Sequence, residues 1–288
     1  MFTSPLRRRL APVILLAVTT LATTSLAVLP ADARSDLSRP TAEAQRAGVQ
    51  PGNAQMGWRQ HAPGQQPKAT ANARAQAYQP PGVLGMDVSS HQGRVDWSSW
   101  ARQGKQFAYV KATEGTTYRN PYFTAQYSGS AGVGMVRGAY HFASPSGKSG
   151  TAQAQYFVRN GGGWKADGRT LPGVLDIEYN PYGSTCYGLT TTRMVSWIND
   201  FVVEYKRLTR RDAVIYTTTD WWVQCTGNTT KFSFTNPLWV ARYGTTAPGT
   251  LPGAWPRATF WQYTTAPLDQ NRFSSGRDRL LVLATRTR

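Results

Sequence analysis

Two carboxylates stand one residue apart in the stretch "GVLDIEYNPYG", where Asp176 and Glu178 interrupt an apolar, β-prone run. Side chains alternate between the two faces of a strand, so both acids share one face while Leu175 and Ile177 share the other. Like charges placed side by side raise the free energy unless water, a partner or a shared proton relieves the repulsion. The pattern fits either solvated acids at an exposed sheet edge or a pair of acids that transfers protons.

The elements that would position this pair are short strands alternating with helices. Apolar, β-prone runs predict eight strands, at "VLGMDVS", "FAYVKAT", "VRGAYHFA", "GVLDIEY", "AVIYTTT", "PLWVARY", "ATFWQYT" and "RLLVLAT". Helical patterns lie between the early runs, and the clearest covers residues 191–208, whose apolar residues recur at helical spacing. After Asp212 the helices become sparse. This order predicts an α/β fold, a parallel barrel whose last part has lost its helices.

In such a barrel, reactive side chains sit at the C-terminal ends of the strands, where the loops gather around one mouth. Acidic, amide and aromatic candidates in or near these ends are Asp87, Tyr140, Asp176, Glu178, Tyr216, Trp239, Tyr243 and Gln262. Because aromatic rings stack on sugar faces and carboxylates manage protons and oxocarbenium charge, this set indicates a carbohydrate site. Each aromatic ring fits the core equally well. His91 and His141 fit structural hydrogen bonding better than catalysis, because no Ser or Cys nucleophile stands in a matching motif.

The first 81 residues differ in composition from the rest of the chain. Three arginines at 7–9, an apolar run and the triplet "ADA" ending at Ala33 predict an export signal at 1–33 and a secreted, extracellular protein that starts at Arg34. Residues 34–81 are rich in Ala, Gln, Pro, Gly and Arg, so we expect a disordered linker or pro-segment there. The structured domain is predicted at 82–288, and no part of it is long and apolar enough to span a membrane.

The charge of the chain is strongly positive. Its formal net charge is +17, and the predicted domain alone holds 23 Lys and Arg against 12 Asp and Glu, which gives +11. We expect anionic cell-wall polymers as partners, because the bases are scattered and export argues against nucleic acid. The alternative that the charge serves only solubility stays open. We expect a monomer.

The two cysteines, Cys186 and Cys225, lie past the export signal. In an oxidising compartment such a pair is usually bonded, so we predict a disulfide that closes a loop of about 40 residues and contributes about 4 kcal/mol. Three histidines, His61, His91 and His141, show no ligand spacing with one another or with the cysteines. We therefore expect no metal and no cofactor.

Eight pieces of the chain, in order, resemble the glycoside hydrolase family 25 lysozymes, the Chalaropsis type of N-acetylmuramidase. They are "GMDVSSHQGRVDW", "FAYVKATEGTTYRNPYF", "GAYHFA", "VLDIEY", "IYT", "LWVARY", "FWQY" and "LDQNRF". The resemblance implies an irregular TIM-like barrel of eight strands with fewer helices, (β/α)5(β)3. It also implies a secreted enzyme that hydrolyses the β-1,4 bond between N-acetylmuramic acid and N-acetylglucosamine in peptidoglycan.

The same resemblance places the family's acid pair on Asp176 and Glu178 and further active-site acids on Asp87 and Asp269. The short connection "TTAPL" before Asp269 leaves the position of that acid open. Glycosidic cleavage needs one protonated carboxyl and a second group that stabilises or forms the anomeric bond. Glu178 has the longer reach and is the expected general acid, with Asp176 as its charged partner. Inverting, covalent retaining and substrate-assisted routes stay open, and we favour the one in which Asp176 orients the 2-acetamido group.

Two other functions remain as alternatives. A chitinase-like or endo-N-acetylglucosaminidase hydrolase also carries Asp and Glu one residue apart, but its longer acid series D-x-x-D-x-D-x-E is absent, since residues 171–174 read "LPGV". A non-catalytic cell-wall-binding domain would be expected to lack one acid, and both are present. The sugar at the reducing end of the products distinguishes the two hydrolases.

Overall fold

The computed structural model describes residue 1, residues 39–62 and residues 82–286. The predicted export signal after Met1 and its cleavage site lie outside the described residues. Within the described part, every helix is too short or too polar to cross a membrane.

A closed barrel of eight strands forms the body of the protein. The described residues contain nine strands, of which all but β3 form the barrel. They are β1 (Val83–Val88), β2 (Phe107–Glu114), β3 (Tyr118–Arg119), β4 (Val136–Phe142), β5 (Val174–Asp176), β6 (Val214–Thr217), β7 (Leu238–Ala241), β8 (Phe260–Thr264) and β9 (Gln270–Phe273). The barrel runs β1-β2-β4-β5-β6-β7-β8-β9 and closes from β9 to β1, and β3 is a two-residue hairpin partner of β2. The barrel pairings from β1 to β8 are parallel, whereas β9 is antiparallel to both of its neighbours.

Helices follow only the first five parallel strands. The helices of the described residues are α1 (Ala42–Arg46), α2 (Trp97–Arg102), α3 (Phe123–Gly132), α4 (Gly150–Phe157), α5 (Thr191–Thr209), α6 (Thr219–Thr226) and α7 (Arg277–Thr285). Helices α2 to α6 follow β1, β2, β4, β5 and β6, and the chain from β7 to β9 contains no helix. Side-chain oxygens of Asp96, Ser149 and Thr218 accept hydrogen bonds from the first turns of α2, α4 and α6, where backbone N–H groups lack helical partners. The predicted (β/α)5(β)3 barrel is confirmed.

One strand prediction is wrong. The run "RLLVLAT" lies in α7, and the eighth barrel strand is β9, within the piece "LDQNRF". Leu280 and Ala284, four residues apart, are the buried residues of α7 and share one helical face. Leu and Ala are strong helix formers, and Val282 and Thr285 are the only β-branched residues of the run, so local propensity also favours the helix.

The barrel interior is filled by large rings. Phe107, Tyr109, Trp239 and Phe260 pack against one another with ring centroids 4.9–6.5 Å apart. A Cβ on Gly138 would lie 2.2 Å from the Tyr109 ring, so glycine at this strand position makes room for that ring. Outside the barrel, Leu175 and Ile177 pack in the core that contains Phe201 of α5.

Residues 39–62 are ordered and pack on the barrel, which differs from the disorder expected for 34–81. Ala44, Val49, Ala54 and Trp58 are buried and form an apolar cluster with Phe142 of β4. Composition predicts disorder for a segment that must bury its own surface, but here the barrel supplies the apolar partner. Whether 34–81 acts as a linker or a pro-segment stays a proposal.

The predicted disulfide is confirmed. Cys186 and Cys225 are bonded, with Cα atoms 5.3 Å apart, and no free cysteine occurs in the described residues. The bond joins the loop after β5 to α6. It therefore ties the loop that follows the acid pair to the neighbouring βα unit.

Candidate active site

The acid pair lies where β5 ends. Asp176 is the last residue of β5, and Glu178 follows two residues later on the same side of the chain. Leu175 precedes Asp176, and Ile177 lies between the two acids. Both point into the core outside the barrel, as the alternation of side chains predicts. Both acids are buried, so the exposed sheet edge is not the environment that they occupy.

Burial raises the pKa of both acids, and the neighbouring carboxyl also acts on each of them. Burial raises the pKa of Asp176 and the neighbouring Glu178 raises it further, whereas the Lys111 ammonium lowers it. Burial also raises the pKa of Glu178, to about 8, while the Gly57 N–H that donates to Glu178 Oε1 at 2.7 Å opposes this shift. Neither oxygen of Asp176 makes a hydrogen bond of normal geometry with a described residue. Two such carboxyls titrate as a pair, which lets one hold a proton while the other is ionised.

Asp87, at the end of β1, is held by two amides. Gln262 Nε2 and Asn271 Nδ2 donate to Asp87 Oδ2 at 2.8 and 2.6 Å. Gln262 Oε1 in turn accepts from the hydroxyls of Tyr216, at 2.6 Å, and Tyr243. This hydrogen-bonded group links β1, β6, β8, β9 and the loop after β7, and it fixes Asp87 through amide donors. Burial raises the pKa of Asp87, and the nearby Asp269 adds to the effect.

Asp269 lies at the mouth despite its short preceding connection. Its backbone oxygen accepts from the Asp87 N–H at 3.3 Å, and its side chain faces His61, with Nε2 and Oδ1 3.2 Å apart. Burial raises the pKa of Asp269, while His61 lowers it. Burial opposes protonation of His61, but the Asp269 carboxylate outweighs it and raises the pKa of His61.

Tyr140 completes the ring of predicted residues at the mouth. Burial raises the pKa of its hydroxyl, and the nearby carboxylates of Asp87 and Asp176 raise it further. The mouth therefore brings together eight of the nine predicted residues: Asp87, Tyr140, Asp176, Glu178, Tyr216, Tyr243, Gln262 and Asp269. Among these residues, Asp176 is affected by charges of both signs, because Glu178 raises its pKa and Lys111 lowers it.

Trp239, expected among the substrate-binding residues, is fully buried among aromatic rings of the barrel interior. Its ring packs against Tyr109, Tyr216 and Phe260 inside the barrel, so its faces are covered by other rings. Trp239 pairs with Tyr216 in the β6–β7 register, and its Nε1–H has no hydrogen-bond partner among the described residues. His141 is also internal, between the Thr113 hydroxyl at 2.8 Å and Gln153 Oε1 at 2.9 Å.

Comparison with known proteins assigns the family. Residues 86–271 match the family described as glycosyl hydrolases family 25. The chain belongs to glycosyl hydrolase family 25. It is therefore a glycoside hydrolase, and the resemblance seen in the sequence is confirmed.

Relatives of this family 25 hydrolase carry matching names. Lysozyme M1 of Streptomyces globisporus is 52% identical over 214 residues, which cover 72% of this chain and 72% of that one. The N,O-diacetylmuramidase of a Chalaropsis species is 45% identical over 209 residues, which cover 70% of this chain and 99% of the relative. The crystal structure of a bacterial lysozyme from Streptomyces coelicolor, at 52% identity, superposes with a TM-score of 0.70 and covers 72% of this chain and 99% of its own.

Sequence reasoning missed several residues of the hydrolase's mouth. Asn271 lies in the piece "LDQNRF" and could have been found there as a same-face neighbour of Asp269. Gly57 and His61 lie in the segment expected to be disordered, and no motif marks them. Within the described residues, no group of three or more His, Cys, Asp or Glu could hold a metal ion.

Proposed function

We propose that this family 25 hydrolase is a secreted lysozyme that cleaves the β-1,4 bond between N-acetylmuramic acid and N-acetylglucosamine in peptidoglycan. The observation that carries the proposal is the buried, mutually perturbed acid pair Asp176 and Glu178 at the mouth of the barrel. The names of the relatives, lysozyme and N,O-diacetylmuramidase, support the substrate. Export is proposed from the sequence at 1–33. The intact mass of the protein from culture medium should then correspond to a chain that begins at Arg34 or farther along.

Glu178 is the proposed general acid. A pKa of about 8 keeps its carboxyl protonated at neutral pH, so it can donate that proton to the glycosidic oxygen as the bond to the anomeric carbon breaks. Its position two residues beyond the end of β5 puts it nearer the opening than Asp176. After the leaving sugar departs, the Glu178 carboxylate can accept a proton from the incoming water.

Asp176 is the proposed orienting group. In the favoured route, the 2-acetamido oxygen of the substrate attacks the anomeric carbon, and Asp176 accepts a hydrogen bond from the acetamido N–H. The oxygens of Asp176 accept no hydrogen bond of normal geometry from a described residue and are available for such a contact, and Lys111 opposes the rise in the pKa of Asp176 that burial and Glu178 cause. Asp87, Asp269, Tyr140, Tyr216, Tyr243 and Gln262 are the proposed substrate-binding residues.

The test uses Glu178→Gln, which keeps the shape of the side chain and removes the transferable proton. We expect hydrolysis of purified peptidoglycan to fall by 10²-fold to 10⁴-fold, as is typical for the loss of a general acid. Asp200→Asn removes an exposed carboxyl on α5 and should leave the rate unchanged. Assays on both the full chain and residues 82–288 show whether the loss of hydrolysis depends on the residues before the barrel. Near-normal hydrolysis by Glu178→Gln would move the acid role to Asp87 or Asp269.

The products identify the bond and the route. Mass analysis should find muramic acid at the reducing end, whereas glucosamine there would support the endo-N-acetylglucosaminidase alternative. NMR of the first turnover reports the anomer, which is retained in the substrate-assisted route and inverted if water attacks directly. If Asp176 is a nucleophile instead, a slow fluorosugar should leave a glycosyl ester on it.

A further inference from the structure

The mouth of the barrel is occupied by the chain's own residues 39–62, here called the N-terminal segment. The segment comprises helix α1, a connecting stretch and the 3₁₀ turn Trp58–His61. Its path brings Gly57 to the acid pair and His61 to Asp269. A stretch of chain that lies outside the domain matched by the family therefore contacts the acids on both sides of the mouth.

Gly57 makes the closest approach. Its N–H donates to Glu178 Oε1 at 2.7 Å, at the carboxyl proposed to donate a proton to the substrate. A Cβ on Gly57 would lie 2.2 Å from the Tyr243 hydroxyl and 3.0 Å from Gln262 Oε1, and its φ of +65° also favours glycine. The backbone fits into the mouth at a depth that no other residue type could reach without displacing these side chains.

Two backbone oxygens of the segment cover Lys111. Its Nζ donates to Gly52 O at 3.1 Å and to Ala54 O, in addition to its ion pair with Glu114. Lys111 is completely buried, so these oxygens replace water as partners of its ammonium group. The segment therefore satisfies the polar groups of the mouth as a bound ligand would.

An apolar contact anchors the segment beside the acids. Trp58 is buried in a cluster with Phe142 and Tyr179, and its Nε1–H donates to the backbone oxygen of Tyr179 at 2.8 Å. The guanidinium of Arg59 lies 4.6 Å from the centre of the Tyr179 ring. A large buried ring with its polar group satisfied is the usual anchor of a stable protein interface.

With the segment in place, the catalytic acids are closed off from solvent. Asp176 is 0% exposed, and Asp87, Glu178 and Asp269 are each 1% exposed. An enzyme that cleaves a polymer must let the sugar chain reach its acid, and a glycosidic oxygen needs the place beside Glu178 that the Gly57 amide fills. The donated N–H also lowers the pKa of Glu178, although burial still holds it at about 8 with the segment in place.

We propose that the N-terminal segment is an intramolecular inhibitor, bound in the substrate-binding mouth, and that the enzyme becomes active when the segment is separated from the barrel. The proposal rests on the function proposed above. Covalent attachment through residues 63–81 gives the segment a high effective concentration at the mouth, which cutting the chain removes. His61 of the segment faces the Asp269 carboxyl at 3.2 Å, so a protonated His61 adds charge complementarity to the contact.

The test introduces one cleavage site into the full chain. The recognition sequence of a site-specific protease replaces residues 66–72, and hydrolysis of labelled peptidoglycan is measured before and after cutting and dilution. We expect the cut protein to be at least 100-fold more active than the intact one. Synthetic peptide 39–62 added to the cut protein should restore inhibition, and the same peptide with Gly57→Ala should inhibit at least 10-fold less well.

A matched pair of variants in the uncut chain separates specific blocking from general loosening of the segment. Gly57→Ala should raise the activity of the intact chain at least 10-fold more than Gly48→Ala does. Gly48 also has positive φ, +80°, but a Cβ there would meet only His91 at 3.9 Å, so both substitutions strain the backbone and only one clashes with the mouth. Both leave the barrel unaltered, so cut Gly57→Ala protein should match cut wild type.

The outcomes are distinct. An intact chain as active as the cut chain overturns the inhibitor and leaves the muramidase function standing. Equal activation by Gly48→Ala and Gly57→Ala overturns the specific role of Gly57 in the mouth. Inactivity of both the intact and the cut protein, with the barrel folded by circular dichroism, contradicts the proposed function and the inhibitor with it.

Discussion

At the scale of single residues, the mouth depends on amides and hydroxyls more than on ion pairs. Gln262 connects three groups, since its Nε2 donates to Asp87 and its Oε1 accepts from Tyr216 and Tyr243. All of these groups except Tyr243 are fully buried. A buried polar group that loses its partner costs more free energy than the hydrogen bond contributes when it is formed. Gln262 is therefore a point at which both stability and positioning can be tested.

Gln262→Leu should lower the free energy of unfolding by at least about 2 kcal/mol, because it leaves the Asp87 carboxyl and the tyrosine hydroxyls with fewer partners. Tyr243→Phe is the matched control and should cost less than about 1 kcal/mol, since Gln262 Oε1 keeps its bond from Tyr216. Urea unfolding monitored by tryptophan fluorescence measures both values. Equal losses in the two variants would show that Gln262 does not hold this group together.

Most mouth residues were predictable because they follow a rule of topology. Asp87, Asp176 and Gln262 lie at or near the ends of runs with clear β patterns, and parallel strands bring their ends to one edge. Trp239 follows the same rule, but the sequence does not show that three other rings pack against its own. The sequence does not predict that Gly57 and His61 lie at the mouth, because their positions depend on contacts with Glu178 and Asp269 that only the folded barrel provides.

At the scale of elements, the sequence predicts the strands and helices that have strong periodicity. Seven of the eight predicted runs contain barrel strands, and the helix predicted at 191–208 is α5, Thr191–Thr209. The strand predicted at "RLLVLAT" was wrong because a short apolar run without alternation does not distinguish a strand from a helix. The antiparallel β9 has the polar sequence "QNRF", and pairing with β1 and β8 determines its conformation.

The disulfide between the loop after β5 and α6 has a testable contribution to stability. Its cysteines are 39 residues apart, and closure of a loop of that length in the unfolded chain corresponds to about 4 kcal/mol. The double variant Cys186→Ser and Cys225→Ser should therefore unfold at lower denaturant concentration with about that loss. Fresh enzyme should keep most of its activity, because neither cysteine lies at the mouth. A loss below about 1 kcal/mol would show that the unfolded chain is not appreciably restricted by this bond.

At the scale of the whole molecule, the positive charge predicts how the enzyme meets its substrate. The +11 carried by residues 82–288 is proposed to favour adsorption to anionic walls, and charges at the surface are screened beyond about 8 Å at physiological ionic strength. Adsorption of inactive Glu178→Gln protein should fall steeply between low and high salt. Walls stripped of their anionic polymers provide the control and should show a weaker salt dependence. Adsorption that salt does not change would point to sugar contacts instead.

The pH dependence of stability follows from the buried acids, and Glu178 allows its sign to be tested. Its folded pKa of about 8 lies above the ordinary 4.5, so between these pH values the folded protein binds more protons than the unfolded chain. Stability from this group is therefore present below about pH 4.5 and is lost as pH rises towards 8, by up to about 1.4 kcal/mol per pH unit. His141, whose pKa is lowered to about 3, acts in the opposite direction, so the wild-type profile alone is ambiguous.

The difference between wild type and Glu178→Gln removes the contribution of His141, which is the same in both proteins, and reports the acid pair. The variant should gain melting temperature relative to wild type as pH rises from about 5 to 8, since glutamine has no proton to lose. Calorimetry at matched ionic strength gives this difference, and Asp200→Asn should show no such trend, because its carboxyl lies in solvent on α5. A pH-independent difference for Glu178→Gln would mean that Glu178 titrates alike in the folded and unfolded chains. In that case the closed, buried mouth seen here could not be the state that dominates in solution.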